Sequence, residues 1–179
     1  GLMALAEGCL GLTNINLDGC NNMTDVGLAA MGKGCPGLTN ININECFSVT
    51  GAGLAALAEG CSGLTDVILF GCRNVTDVGL AALAKNCPGL TSICLGDCGN
   101  VTDAGLAALA KGCSGLNNIN LFDQVTNAGL AALAEGCPGL TNIDLKLCSN
   151  VTDVGLAVLA KSCPGLTKID LFEQVTDAG

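Results

Sequence analysis

The chain has 179 residues, half of them hydrophobic, 13% charged and 2% aromatic, with a formal net charge of −9. That balance is too apolar for a disordered chain, and no apolar run approaches the roughly 18 residues of a membrane span, so no membrane insertion is expected. Seven basic residues against 16 acidic ones disfavour nucleic acid as a partner, and the absence of His removes imidazole bases, Ser–His or Cys–His nucleophile pairs and His metal ligands.

Self-similarity organises the rest. Gly1, Gly27, Gly53, Gly79, Gly105, Gly129, Gly155 and Gly179 mark steps of 26 residues, except for steps of 24 before Gly129 and Gly179. Seven units therefore run from end to end without a linker, as one domain over 1–179. The first unit reads Leu12-Thr13-Asn14-Ile15-Asn16-Leu17, in which apolar and polar residues alternate with strand periodicity. Thr24-Asp25-Val26-Gly27-Leu28-Ala29-Ala30-Met31 follows as a helix, with Thr24 as N-cap, Asp25 at the positive end of the helix dipole, and Leu28 and Met31 on one narrow apolar stripe. Gly34, Gly60, Gly112 and Gly136 are expected as C-terminal caps, and Pro36, Pro88, Pro138 and Pro164 block continuation. The later units repeat this order. Gln124 and Gln174 depart from it, each with two residues missing before Val125 and Val175, and a local change of curvature is expected there. One strand and one helix per unit cannot bury an apolar face alone. Stacking solves this, with a parallel sheet on the inner side and helices on the outer side.

The pattern L-x-x-L-x-L-x-x-C, in Leu12, Ile15, Leu17 and Cys20 and repeated five times with its Cys, resembles the cysteine-containing leucine-rich-repeat family. That family is best known from F-box substrate-recognition subunits of ubiquitin ligases. The resemblance covers the whole chain and implies an α/β leucine-rich-repeat solenoid of seven repeats of 24–26 residues, with a curved parallel β-sheet on the concave side and α-helices on the convex side. Its motifs specify the fold far better than the function. No segment outside the repeats supplies an F-box.

Twelve of the 13 cysteines fall into two ladders, one after the helices (Cys9 to Cys163) and one after the strands (Cys20 to Cys148); Cys94 stands apart. They read as small buried side chains whose thiols reach turn carbonyls. Disulfide staples compete with that reading, but the count is odd. Zinc competes through Cys94-x3-Cys98, a lone pair without a partner pair. No cofactor and no metal are expected, and so many free thiols point to a reducing compartment, cytoplasmic or nuclear.

Departures from the repeat mark candidate sites. The outward strand positions form three columns, beginning at Asn14, Asn16 and Asp18, where Asn side chains are expected to hydrogen-bond along the ladder. Ile68, Phe70, Cys94 and Phe122 put apolar side chains where the columns call for polar ones, with Gly96 leaving a notch between two rings. Such a cluster on the concave face is a candidate protein-binding site. Asp144, Lys146, Lys168, Asp170 and Phe172 form a second, mixed-charge candidate. No catalytic residues are assigned.

The leading functional expectation is a non-catalytic platform binding a protein partner on its concave face, in the extreme as the substrate-recognition arm of an F-box-type ligase. The alternative is a structural spacer or scaffold subunit meeting other chains end to end or laterally, through its helical face or open ends. Neither terminal unit is polar or irregular, so the chain is expected to be an uncapped internal piece of a longer array. A redox or enzymatic role would rest on Cys94 and Cys98, near which Asp97 is the sole general base in sequence.

Overall fold

A computed structural model of the chain describes residues 1–121, 124–146 and 148–171. In chain order the elements are α1 (Leu2–Gly8), β1 (Asn14–Asn16), α2 (Asp25–Gly34), β2 (Asn40–Asn42), α3 (Gly51–Gly60), β3 (Asp66–Ile68) and α4 (Asp77–Asn86). They continue with β4 (Ser92–Cys94), α5 (Asp103–Gly112), β5 (Asn118–Asn120), α6 (Asn127–Gly136), β6 (Asn142–Asp144), α7 (Asp153–Ser162) and β7 (Lys168–Asp170). The strands form one parallel seven-stranded sheet in sequence order, and each helix packs on the next. Parallel strands sit about 4.8 Å apart and packed helices ordinarily 8–10 Å, so the sheet takes the inner side of the stack.

The register advances by one repeat at each step, and the polar columns read from the sequence are the ones formed. Asn14 faces Asn40, Asn40 faces Asp66, and Ile68 faces Cys94. The middle residue of each strand points the other way, and Ile41, Val67, Ile93, Ile119 and Ile143 are at most 2% exposed. They meet the leucines of the helical stripes in one continuous core that, among the described residues, holds no polar or charged side chain. Each fully buried Leu or Ile contributes about 1.5–3 kcal/mol.

Side-chain ladders tie successive coils together. Cys61, Cys87, Cys113 and Cys137 each donate a thiol hydrogen to the carbonyl of the Cys one coil back, at 3.2–3.5 Å. Cys46, Cys72 and Cys98 reach the carbonyls of Leu17, Ile43 and Leu69 at 3.4, 3.0 and 3.1 Å. This is the role read from the sequence for the buried thiols; Cys9 and Cys20, the first of each ladder, are exposed instead, and none of the thirteen cysteines forms a disulfide. Thr39, Thr65 and Thr91 run a parallel series, each hydroxyl donating to the carbonyl of the Thr one coil earlier.

The helix starts differ from expectation. Asp25 reaches sideways, accepting from Thr50 N–H at 2.8 Å and Thr50 Oγ1 at 2.6 Å. Asp77 does the same for Thr102, and Asp103 for Thr126. Those three threonines, and not Thr24, Thr76 or Thr152, accept from the N–H two residues on. The physical reason is directional. A carboxylate that takes the hydroxyl proton turns the oxygen lone pair toward the helix N-terminus. Thr152 instead faces Asn127, whose amide donates to Thr152 Oγ1 at 2.9 Å and occupies that lone pair. Thr76 faces Gly51, which has no side chain. The landmark glycines follow from the same contacts, because a Cβ on Gly53, Gly105 or Gly129 would strike the Asp of the preceding coil.

Gly51→Asp should therefore complete the series. The new Cβ would lie 2.6 Å from Thr76 Oγ1, a side-chain tip that must turn to receive the carboxylate, and 3.2 and 3.5 Å from Gly79 N and Thr76 N. The substitution would set the missing cap and remove a helix glycine, adding about 1–2 kcal/mol. Thermal denaturation checks this; an unchanged midpoint would show that Thr76 gains nothing from a carboxylate.

The helix-end glycines also differ from expectation. Gly34, Gly60, Gly112 and Gly136 are the last residues of their helices, and the caps are Cys35, Cys61, Cys113 and Cys137 at φ between −126° and −114°. Close approach of neighbouring helices, not a left-handed cap, selects glycine here: a Cβ on Gly34 or Gly112 would land on the carbonyl oxygen of Ala6 or Ala84.

Candidate functional site

The sheet face between β3 and β5 is built on a polar background. Asn16, Asn42 and Asp144 turn back on their own chain, each side-chain oxygen accepting from the N–H two residues on at 2.9 Å. This Asx geometry fixes the turn that leaves the strand. Links between strands are fewer than the sequence led one to expect: Asn118 donates to Ser92 at 3.2 Å and Asn120 to Asp144 at 2.9 Å. The Asn columns therefore serve the turns first and the ladder second.

Onto this background β3 and β4 place Ile68 and Cys94 directly opposite each other, both half-buried. Phe70 follows in the turn after β3, its backbone N–H held by Asn44 Oδ1 at 3.0 Å and its side chain 43% exposed. The expected notch at Gly96 is filled. A Cβ there would lie 2.7 Å from Phe70 Cδ2, so the ring already rests on the glycine. Phe122 lies outside the described residues, and so does Phe172. Ile68, Phe70 and Cys94 are thus the part of the apolar candidate that the structure brings together.

The mixed-charge candidate is internally satisfied. Lys146 and Lys168 converge on Asp170 Oδ2 at 3.6 and 3.2 Å, and these contacts, that of Lys168 foremost, hold the Asp170 carboxyl below its ordinary range. Asp144, between them in register, is engaged by Asn120 and by the Lys146 N–H.

One exposed aromatic escaped the sequence reading. Phe47, in the turn after β2, is 45% exposed, and its carbonyl accepts from Asn74 at 2.7 Å. Its signal was the break in the column Asn21, Phe47, Arg73, Gly99, Ser149, which lies outside the strands. In the same turns Arg73 binds Asp97 Oδ2 through Nε at 3.0 Å and Nη2 at 2.6 Å. Asp97 and Glu45 hold φ of 55° and 54° where Gly71 and Gly19 occupy the equivalent places, a left-handed conformation that costs a side-chain-bearing residue about 1 kcal/mol.

Cys94 and Cys98, the pair on which a redox role would rest, are poor nucleophiles. Burial pushes Cys94 up, with help from the nearby Asp144 and Asp66 carboxylates and a partial offset from the Gly96 backbone. Cys98 is driven up further, chiefly by burial. Both shifts run opposite to what a reactive thiolate needs. Among the described residues, no group of three or more Cys, Asp or Glu is placed to hold a metal ion, and no helix is long and apolar enough to cross a membrane.

No family model and no curated protein matches the chain. Solved structures do. Internalin C2 from Listeria monocytogenes is 19% identical with a TM-score of 0.59, over 99% of this chain and 77% of that one. The leucine-rich-repeat protein LegL7 from Legionella pneumophila is 17% identical with a TM-score of 0.55, over 94% of this chain and 58% of that one. A structure of the yeast Rad7–Elc1 complex matches at 18% identity and a TM-score of 0.51, over 98% of this chain and 74% of that one. At these identities the likeness establishes the fold: the chain is a leucine-rich-repeat solenoid.

Proposed function

We propose that this chain is a non-catalytic protein-interaction platform whose partner sits on the concave sheet face, anchored by Ile68, Phe70 and Cys94. The observation that carries the reading is this apolar step on a face otherwise made of Asn, Ser, Asp and Lys, with a phenylalanine 43% exposed at its rim. Exposed aromatic and aliphatic side chains rimmed by polar groups are what interfaces use as anchors. The side chains that hold the fold, namely the Cys, Thr and Asp ladders, are engaged elsewhere, so these three are free to serve contact. One of the matching solved structures, the yeast Rad7–Elc1 complex, is likewise that of a protein in contact with a second chain. Service as the substrate-recognition arm of an F-box-type ligase rests on the sequence resemblance alone. The many free thiols suit a reducing compartment, cytoplasm or nucleus.

Ile68→Asn with Phe70→Asn should leave the melting temperature nearly unchanged, since both side chains are partly exposed, and should abolish partner binding. A photo-crosslinking residue at position 70 reads this out, with Val78 on the helical face as control. Adducts at position 70 that vanish on Ile68→Asn support the platform; adducts at Val78 alone would overturn it.

One observation favours the second reading, a scaffold subunit. A groove of about 500 Å³ between α1 and α2 is lined by Met3, Leu10 and Val26, which are 58%, 68% and 67% exposed. A neighbour covering that groove would use the helical side and leave Phe70 open.

A further inference from the structure

Resting on the platform reading, we infer that the segment bound on the sheet face is extended and positively charged, an apolar side chain over Ile68 and Cys94 with a Lys or Arg close beside it. Both lysines of the sheet face are committed to Asp170. Among the described residues, Asp66 and Asp144 have no ion-pair partner. They flank the apolar step from two sides. Asp66 lies two residues before Ile68 on the same strand and face, and Asp144 lies two strands beyond Cys94, about 10 Å away.

Asp66 is the sharper of the two. Its Oδ1 is enclosed and has no hydrogen-bond partner, while the residue as a whole keeps partial exposure beside Ile68. A carboxylate desolvated on one oxygen and unpaired gains strongly from a cation brought to the other, because a half-buried charge is poorly screened. A partner that covered Ile68 without supplying that cation would strip Asp66 of its remaining water at a cost. Charge complementarity thus selects for a basic neighbour to the apolar anchor and against an acidic one.

The rest of the face fits an extended chain. A shallow cleft of about 220 Å³ lies across β5 to β7, lined by Asn118, Asn120 and Asn142 beside Asp144, and offers both donors and acceptors to a peptide backbone. From β3 to β6 is three strand spacings, about 14 Å, which four extended residues span. The net charge of −9 adds attraction for a cationic segment at long range.

Panning phage-displayed random dodecapeptides on the whole chain, followed by fluorescence anisotropy of the selected peptides, tests this. The expected consensus pairs Leu, Ile, Phe or Met with Lys or Arg within four residues. Binding should weaken about tenfold or more in Asp66→Asn and again at high salt, and should vanish in Ile68→Asn with Phe70→Asn. A consensus without a basic residue, or affinity unchanged by Asp66→Asn, overturns the cationic inference. If such peptides still depend on Ile68, the platform itself survives. Peptides indifferent to Ile68 and Phe70 overturn both, and an empty selection overturns the inference.

Discussion

Gly112→Val is expected to break the solenoid near its middle and to lower stability by about 4 kcal/mol or more. Gly112 closes α5 where that helix runs against α4, and a Cβ there would land on the carbonyl oxygen of Ala84, with Ala84 C 2.6 Å and Cα 2.8 Å away. These are backbone atoms of a packed helix and cannot rotate aside as a side-chain tip can. The two helices must separate, which opens the leucine layer beneath them, where Leu80, Leu83, Leu106 and Leu109 have no exposure. Overpacking and cavity formation then act together. Because each coil is held mainly by its neighbours, the loss falls on one interface and uncouples the two halves of the array. Gly115→Ala is the control, since a Cβ at that turn meets nothing within 4 Å. Thermal denaturation by circular dichroism should show a sharply lower or biphasic transition for Gly112→Val and a near-native one for the control. A midpoint within a few degrees of the parent would show that the helices are not packed at backbone contact.

The second large effect is alkaline. Burial pushes the thiols of Cys46, Cys61, Cys87, Cys113 and Cys137 from an ordinary 9.0 up to about 11, and that of Cys72 to about 12. A proton held more tightly when folded than when unfolded stabilises the fold fully below the unfolded pKa, and that stabilisation is lost as pH rises through the folded pKa. Stability should therefore be flat to about pH 8 and fall steeply between about pH 9 and 11. Near pH 10 an unfolded thiol is mostly ionised and a folded one is not, a difference of about 1 kcal/mol per thiol. Summed over six such thiols, the loss rivals the whole stability of an ordinary domain. The chain has no Tyr, so thiolate absorbance can be followed without tyrosinate overlap. Native protein at pH 8 should offer chiefly Cys9 and Cys20, the exposed pair, to a thiol reagent. Ionisation of any of these six buried thiols near pH 9, without loss of fold, would contradict the buried S–H···O ladders.

The seven units, their strand and helix halves and the strand columns were legible because the repeat is nearly exact and its two periods differ. The placing of Ile68 opposite Cys94 followed from counting 26 residues. The reason for the glycines did not follow. Gly34 and Gly60 looked like caps because cap glycines and close-approach glycines occupy the same end of a helix in sequence. Only the neighbouring helix tells them apart, through the backbone oxygen that fills the space a Cβ would need. Phe47 was missed because it departs from a column in a turn, where no alternation marks the exposed side.

Composition and repeat alone determined the architecture, the register and the chemistry of the core, because period and hydrophobic pattern act within and between adjacent units at fixed spacing. Tertiary structure alone decided how each polar side chain is spent. Asp25 serves the Thr of the next coil, Phe70 lies on Gly96, and Asp66 remains unpaired while Asp170 draws both lysines. The physical reason is that hydrogen bonds and ion pairs depend on direction and distance between coils, and near-identical repeats leave those choices to a few ångströms of packing.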